Sequence, residues 1–293
     1  MACPVAVAAQ DCGLLPDDPV QPVAPPVEDP CVGHPTGALV LAGGGKLDEE
    51  IFQRFVDEAG GRRARIVIIP TAGRDHDFPA EWNGLRPFFE AGASDVRVLH
   101  TRNRDQADSE EFVAQIQRAT GVWLMGGRPW RLVDAYQGTR VVDELHLLLA
   151  RGGVVGGTSA GASIMASYLM RGAPEDNDIL MAPGYEQGFG FLQGVAVDQH
   201  VIARGRERDL LEVLQRHPDL LGIGLDEGAA IVVEGDRAEV VGRGRVGFYD
   251  PATPIRLLWW LEPGESYDLG DRRKVAEPAP RENDPPLGSI HVP

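Results

Sequence analysis

Short apolar runs that alternate with longer stretches of helical period confine residues 38–125 to one kind of architecture, an α/β fold built on a mostly parallel sheet flanked by helices. Ala38-Leu-Val-Leu-Ala42 reads as a buried strand and Gly43-Gly44-Gly45 as the turn after it. Asp48 to Ala59 has helical period, and Arg65-Ile-Val-Ile-Ile69 is the next strand. Val96-Arg-Val-Leu99 follows as a third strand, Ser109 to Ala119 as a helix with Ser109 placed to cap it, and Gly121-Val-Trp-Leu-Met125 as a fourth. Ligands of such sheets sit beyond the carboxyl ends of the strands, so the loops after these runs are where chemistry is expected.

The flanks have a different composition. Proline, acidic residues and valine dominate Pro16 to Pro35, and proline mixes with charge from Glu277 to Pro286, so neither segment can cover a core. The chain therefore divides into an N-terminal tail at 1–35, one domain at 36–270 and a C-terminal tail at 271–293. With 44 acidic against 28 basic residues the formal charge is -16, which disfavours nucleic acid and anionic membranes as partners. Cys3, Cys12 and Cys31 all precede the domain, which leaves cysteine chemistry out of its expected activity. No apolar run approaches the roughly 20 residues of a membrane span. The chain reads as soluble. The small-residue stretch ending Ala8-Ala9-Gln10 leaves the compartment open between the cytoplasm and export by a truncated signal.

The strongest chemical signal is Gly157-Thr158-Ser159-Ala160-Gly161, a Gly-x-Ser-x-Gly pattern between an apolar run, Gly152 to Val155, and the small and apolar residues of Ala160 to Met170, read as a buried helix start. A serine on such a turn is pushed outward, and the helix N-terminus behind it supplies N–H groups for a developing oxyanion. A serine that only caps the helix is the competing reading.

A serine hydroxyl needs a base. Of seven histidines, His34 and His291 lie in the tails, His76 in the polar Asp75-His76-Asp77 loop and His100 at a strand end, while His146 sits among leucines and His217 at a helix end before Pro218. His200 remains, where the apolar Val195-Ala-Val run ends in Asp198-Gln199-His200. The third member should be a carboxylate that fixes the imidazole tautomer. Gly222-Ile-Gly-Leu-Asp226-Glu227 offers two acids at another strand end, and the residues alone do not choose between them.

Other motifs read as structural. Gly43-Gly44-Gly45 lacks the spacing of a dinucleotide fingerprint or a P-loop, and three adjacent residues such as Asp75-His76-Asp77 do not converge easily on one ion. No metal or organic cofactor is implied.

These ordered motifs, together with Leu41-Ala-Gly-Gly-Gly45, Ile66-Val-Ile-Ile-Pro-Thr71 and Gly126-Gly127, resemble the cyanophycinase and dipeptidase E family of serine peptidases over about residues 38–270. The family's domain is similar to the class I glutamine amidotransferase fold, a flavodoxin-like architecture. The resemblance implies Ser159 as nucleophile, His200 as general base and acid, and Glu227 as the orienting carboxylate. It implies an oxyanion hole from the N–H groups of Gly127 and Ala160, and substrate contacts from Asp198, Gln199, Arg204 and Arg206. Pro129 stands where cyanophycinases carry a substrate-binding glutamine, and Asp209 where a further arginine is expected.

The expected reaction is hydrolysis of a peptide bond beside aspartate, β-linked as in isoaspartyl or cyanophycin-like substrates, through an acyl-enzyme. The partner is thus a small peptide or polypeptide, with a homodimer left open as the assembly. Two alternatives stand beside it. One is a non-catalytic small-ligand-binding protein using Arg128-Pro129-Trp130, and the other is an esterase using Asp198 and His217.

Overall fold

The computed structural model describes residues 31–79, 81–252 and 258–276, and the remainder of both expected tails lies outside them. The first strands fall where the apolar runs put them: β1 is Ala38–Ala42, β2 Arg65–Ile69, β3 Asp95–Val98, β4 Gly121–Leu124 and β5 Val154–Thr158. They pair in parallel in the order β3-β2-β4-β5-β1. Helices Glu49–Glu58, Glu110–Arg118 and Arg140–Ala150 connect them, and the Ser109 hydroxyl caps the second by accepting from the Phe112 N–H.

β1 and β4 are buried at every position, and β2 at all but Arg65, because both faces are covered. In β1, Leu39 and Leu41 point into one core while Ala38, Val40 and Ala42 point into the other, and Val67 and Ile69 part from Ile66 and Ile68 in the same way in β2. Each fully buried Val, Leu or Ile contributes about 1.5–3 kcal/mol. An aromatic cluster of Phe55, Phe88 and Trp123, with ring centroids 5.0 to 5.8 Å apart, fills the second core.

Beyond Ser159 the chain departs from the expected pattern. The helix after the serine spans only Ala160–Ser163, and the chain then enters a strand, β6, at Ala166–Tyr168. The returning segment takes the carbonyls a longer helix would use: Phe189 N donates to Ile164 O at 2.7 Å and Phe191 N to Met165 O at 2.8 Å. A second sheet results. It contains β7, Leu192–Gln199, and β8, Leu221–Leu225, both parallel to β6, and after β9, Ala229–Glu234, and β10, Arg237–Gly242, it gains β11, Val246–Tyr249, and β12, Leu258–Leu261. β9 and β10 instead extend the first sheet from β1 in antiparallel fashion, followed by β13, Ser266–Asp268, and β14, Arg273–Lys274.

Both ends of the described chain dock on the domain. Val32 N donates to Asp236 Oδ1 at 2.7 Å, Gln193 N donates to Val32 O at 2.8 Å, and Val275 N donates to Ser266 O at 2.9 Å. Residues 31–35 and 271–276, assigned by composition to the tails, are therefore held by backbone hydrogen bonds that composition does not register. Cys31 is buried and disulfide-bonded. Cys3, Cys12 and His291 lie outside the described residues, and no described helix is long and apolar enough to cross a membrane.

Candidate active site

The carboxyl ends of β1, β5, β7 and β8 converge, and each contributes one part of the site. At the end of β5 the chain turns so sharply that Ser159 adopts φ 53° and ψ -116°, a conformation L-residues avoid at a cost of about 1–3 kcal/mol. Its N–H is anchored to Ala42 O at the end of β1, at 2.9 Å. At the end of β7, His200 also takes a positive φ of 58°, which aims its ring back at the serine. Ser159 Oγ and His200 Nε2 are 3.0 Å apart, and His200 Nδ1 lies 2.6 Å from Glu227 Oε1.

The turn after β8 separates the two acids that the residues alone left open. Asp226 Oδ1 accepts from the N–H groups of Ile202 and Ala203, at 3.0 and 2.9 Å, and so fixes the turn that follows His200. Glu227 alone of the two reaches the imidazole.

The glycine turn after β1, read from its spacing as structural, forms the floor of this arrangement. Gly43 N donates to Ala229 O and Gly44 O accepts from Gly228 N, which ties the turn to the segment carrying Glu227. A Cβ on Gly44 would stand 2.3 Å from the His200 ring, and one on Gly45 2.5 Å from Glu227 Oε2. Only hydrogen fits there. The signal was in the sequence, as three consecutive glycines at a strand end, but its partner lay some 155 residues further along the chain.

His200 is 6% exposed. Burial lowers its pKa below the ordinary 6.5, the hydrogen bond its ring donates to Glu227 opposes this, and the nearby positive charge of Arg204 lowers it again. The net result is a neutral imidazole at neutral pH, the form able to accept a proton.

On the other side of the serine, Gly126 lies close enough that a Cβ would be 3.2 Å from the Ser159 Cβ, while Gly127, at φ 150°, presses against Ala72 O. Ala160 is the first residue of the helix after the serine, where an N–H has no partner within the helix.

The remaining sequence candidates separate. Gln199 sits beside the serine, with Ser159 Oγ donating to its Oε1 at 3.4 Å. Arg204 is exposed, and Arg206 is 8% exposed and paired with Asp178 at 3.2 Å. Both line a cavity of about 530 Å³ together with Arg171, Asp209 and Arg216.

Asp198 lies at the end of β7, next to Gln199. It is fully buried, and both its oxygens accept from the guanidinium of Arg171, at 2.8 and 3.1 Å. Its carboxylate holds a buried cation in place. Arg171, itself 1% exposed, also bonds Asp209, so the acid standing where an arginine was expected is the second partner of this guanidinium. The esterase pairing of Asp198 with His217 is not assembled, because Asp198 is occupied and His217 packs its ring on Tyr168 at 4.5 Å.

The chain is similar to known proteins. The profile of Peptidase family S51 matches residues 39–241. A cyanophycinase of Nostoc sp. is 36% identical over 230 residues, covering 74% of each chain. Peptidase E of Streptomyces coelicolor is 30% identical over 205 residues, covering 67% of this chain and 78% of that protein. The crystal structure of a peptidase from an acI-B1 Actinobacterium superposes with a TM-score of 0.60 at 24% identity, covering 80% of this chain and 98% of that one, and shares the fold.

Proposed function

The chain belongs to peptidase family S51 and is a serine-type peptidase, and on that premise we propose that it hydrolyses β-linked aspartyl peptide bonds through an acyl-enzyme on Ser159. The observation that carries the reading is the hydrogen-bonded series Ser159, His200 and Glu227 at a strained turn.

In this reading Ser159 Oγ attacks the scissile carbonyl carbon while His200 Nε2 takes its proton. The carbonyl oxygen becomes an oxyanion held by the N–H groups of Gly127 and Ala160, each such donor being worth about 3–4 kcal/mol in the transition state. As the C–N bond breaks, His200 returns the proton to the leaving amine, and Glu227 stabilises the transient imidazolium. Water then attacks the ester, its proton passing to His200 and on to Ser159 as the acid is released. Gln199, Arg204 and Arg206 hold the charged groups of the peptide beside the serine. No step requires a metal or an organic cofactor.

The relatives named cyanophycinase make the β-aspartyl bond the first candidate. Pro129, the first residue of the helix Pro129–Tyr136, has no side-chain amide, so the part of the substrate met there differs from the one a glutamine would bind. The test is hydrolysis of cyanophycin, β-Asp-Arg, other isoaspartyl dipeptides and α-aspartyl controls, read as released amine, with Ser159→Ala alongside. Cleavage of β-linked peptides that falls at least about 10³-fold in the variant is expected. Equal rates with and without the serine on every peptide would overturn the assignment.

A further inference from the structure

Arg128, Pro129 and Trp130, which open the helix Pro129–Tyr136, take no part in the triad, and positive charge surrounds them. In the first sheet β4 lies between β5 and β2, so the turns after these three strands stand side by side. Ser159 follows β5, Gly126-Gly127-Arg128 follows β4, and Thr71-Ala72-Gly73-Arg74 follows β2. Three arginines converge on the carbonyls of this last turn. Arg128 N donates to Ala72 O at 2.9 Å, Arg131 Nη1 donates to Ala72 O and Gly73 O at 2.9 and 2.6 Å, and Arg102 Nη2 donates to Gly73 O at 2.7 Å. Arg74 continues the same turn and is exposed.

None of Arg74, Arg102, Arg128 and Arg131 makes an ion pair among the described residues, the exposed Asp75 and Asp77 of the same loop included. This contrasts with Arg171 and Arg206 in the neighbouring cavity, which are each held by carboxylates. Backbone carbonyls hold the guanidiniums of Arg102 and Arg131 at the turn and that of Arg128 at Ala173 O, 3.0 Å away, without neutralising them, and the side chain of Arg74 is exposed. The Nε atoms of Arg102 and Arg128 are buried without a hydrogen-bond partner. Their mutual field is also felt: Arg131 is depressed below its usual pKa, first by burial and then by Arg102, Arg128 and Arg74. In a chain of formal charge -16, four uncompensated cations beside the reaction centre are a local reversal of the overall field.

We propose that Arg74, Arg102, Arg128 and Arg131 form an anion subsite of the active site, and that the substrate is an acidic peptide whose carboxylate-bearing residue beside the scissile bond docks there. The inference rests on Ser159 being the nucleophile. Guanidinium forks match a carboxylate in charge and in plane, and they repel a basic residue at the same place. The subsite therefore favours an aspartyl or glutamyl neighbour over the arginyl neighbour of β-Asp-Arg.

The test compares β-Asp-Glu with its isostere β-Asp-Gln and with β-Asp-Arg, by calorimetric binding to Ser159→Ala at low salt, a readout that needs no turnover. β-Asp-Glu is expected to bind about tenfold more tightly than β-Asp-Gln, the yield of one charge-assisted contact, and β-Asp-Arg most weakly. Arg74→Gln and Arg102→Gln, each checked for an unchanged melting profile, should each reduce the Glu-to-Gln ratio, whereas Arg86→Gln, on the distant Glu90 pair, should leave it intact. Arg74 is exposed, so its substitution reads the subsite even if Arg102→Gln unsettles the turn. Equal binding of the two isosteres, or a preference that survives both substitutions, overturns the subsite. Failure of the nucleophile reading has a separate signature, equal hydrolysis by the wild type and Ser159→Ala.

Discussion

A methyl group placed on Gly44 would stand 2.3 Å from Cε1 of His200, within the space of the imidazole itself. Gly44 has φ 110°, so a substitution there is strained as well as crowded. The side chain of His200 gives way more easily than the backbone, which moves the ring off Ser159 Oγ. Gly44→Ala should therefore lower kcat about 10²-fold, the usual cost of a 1 Å misplacement, with a smaller change in KM. Steady-state kinetics beside a thermal melt check this, and an unfolded variant would show the glycine to be needed by the fold instead.

The depressed pKa of His200 sets the pH response. kcat/KM should rise along an acid limb centred below 6.5 and level off by neutral pH, because the base works only when neutral. Arg204→Gln removes a charge that lowers the pKa and should move the limb upward. The same shift affects stability. Above about 6.5 the imidazole is neutral whether the chain is folded or not, but below it the unfolded chain takes up the proton first, so stability declines as pH falls from 6.5 toward the folded value. A pH series of activity and of melting temperature reads both, and a limb above 6.5 would contradict the assignment of His200.

Glu227→Gln keeps the shape of the carboxylate and removes its charge. The amide can hold the wrong imidazole tautomer and cannot stabilise the imidazolium, so kcat should fall by up to about 10⁴-fold. Asp226→Asn should not reproduce this loss, since Asp226 bonds only the N–H groups of Ile202 and Ala203. Similar kinetics for the two variants would contradict the assignment of Glu227 as the residue that orients His200.

The strain at Ser159 predicts a gain in stability where activity is lost. Ser159→Gly relieves the φ of 53° and ψ of -116°, whereas Ser159→Ala retains a Cβ in that conformation. Chemical denaturation should find the glycine variant more stable than the alanine variant by about 1–3 kcal/mol. Equal stabilities would mean that the turn relaxes without the hydroxyl.

Asp198→Asn tests whether this residue serves the fold or the substrate. Removing one partner of a buried pair typically costs about 3–5 kcal/mol, and Arg171 is 1% exposed. The residual tie to Asp209 places the expected loss at the lower end of that range. A variant of unaltered stability with a raised KM would return Asp198 to the substrate.

Local chemistry made much of this molecule legible before any fold was known. β1 and β2 were readable to the residue because both faces of each strand are buried, which leaves a run without polar interruptions. The Ser109 cap was readable for a similarly local reason, a hydroxyl just before a helical period. The continuation of a helix from Ala160 to Met170 was misread, because the competing hydrogen bonds come from Phe189 and Phe191, distant in the chain.

The sequence by itself determined the parts that depend on neighbours along the chain: the strand and helix periods, the Gly-x-Ser-x-Gly turn, and the polar residues at the ends of β7 and β8. Only the tertiary structure decided which of them meet. It gave Glu227 rather than Asp226 to His200, turned Asp198 inward to Arg171, and made Gly44 the floor of the imidazole. It also brought the guanidiniums of Arg102 and Arg131 onto the turn that carries Arg74. Each of these depends on distances between segments far apart in sequence, and hydrogen bonds and charges act through space, where a one-dimensional pattern carries no distance.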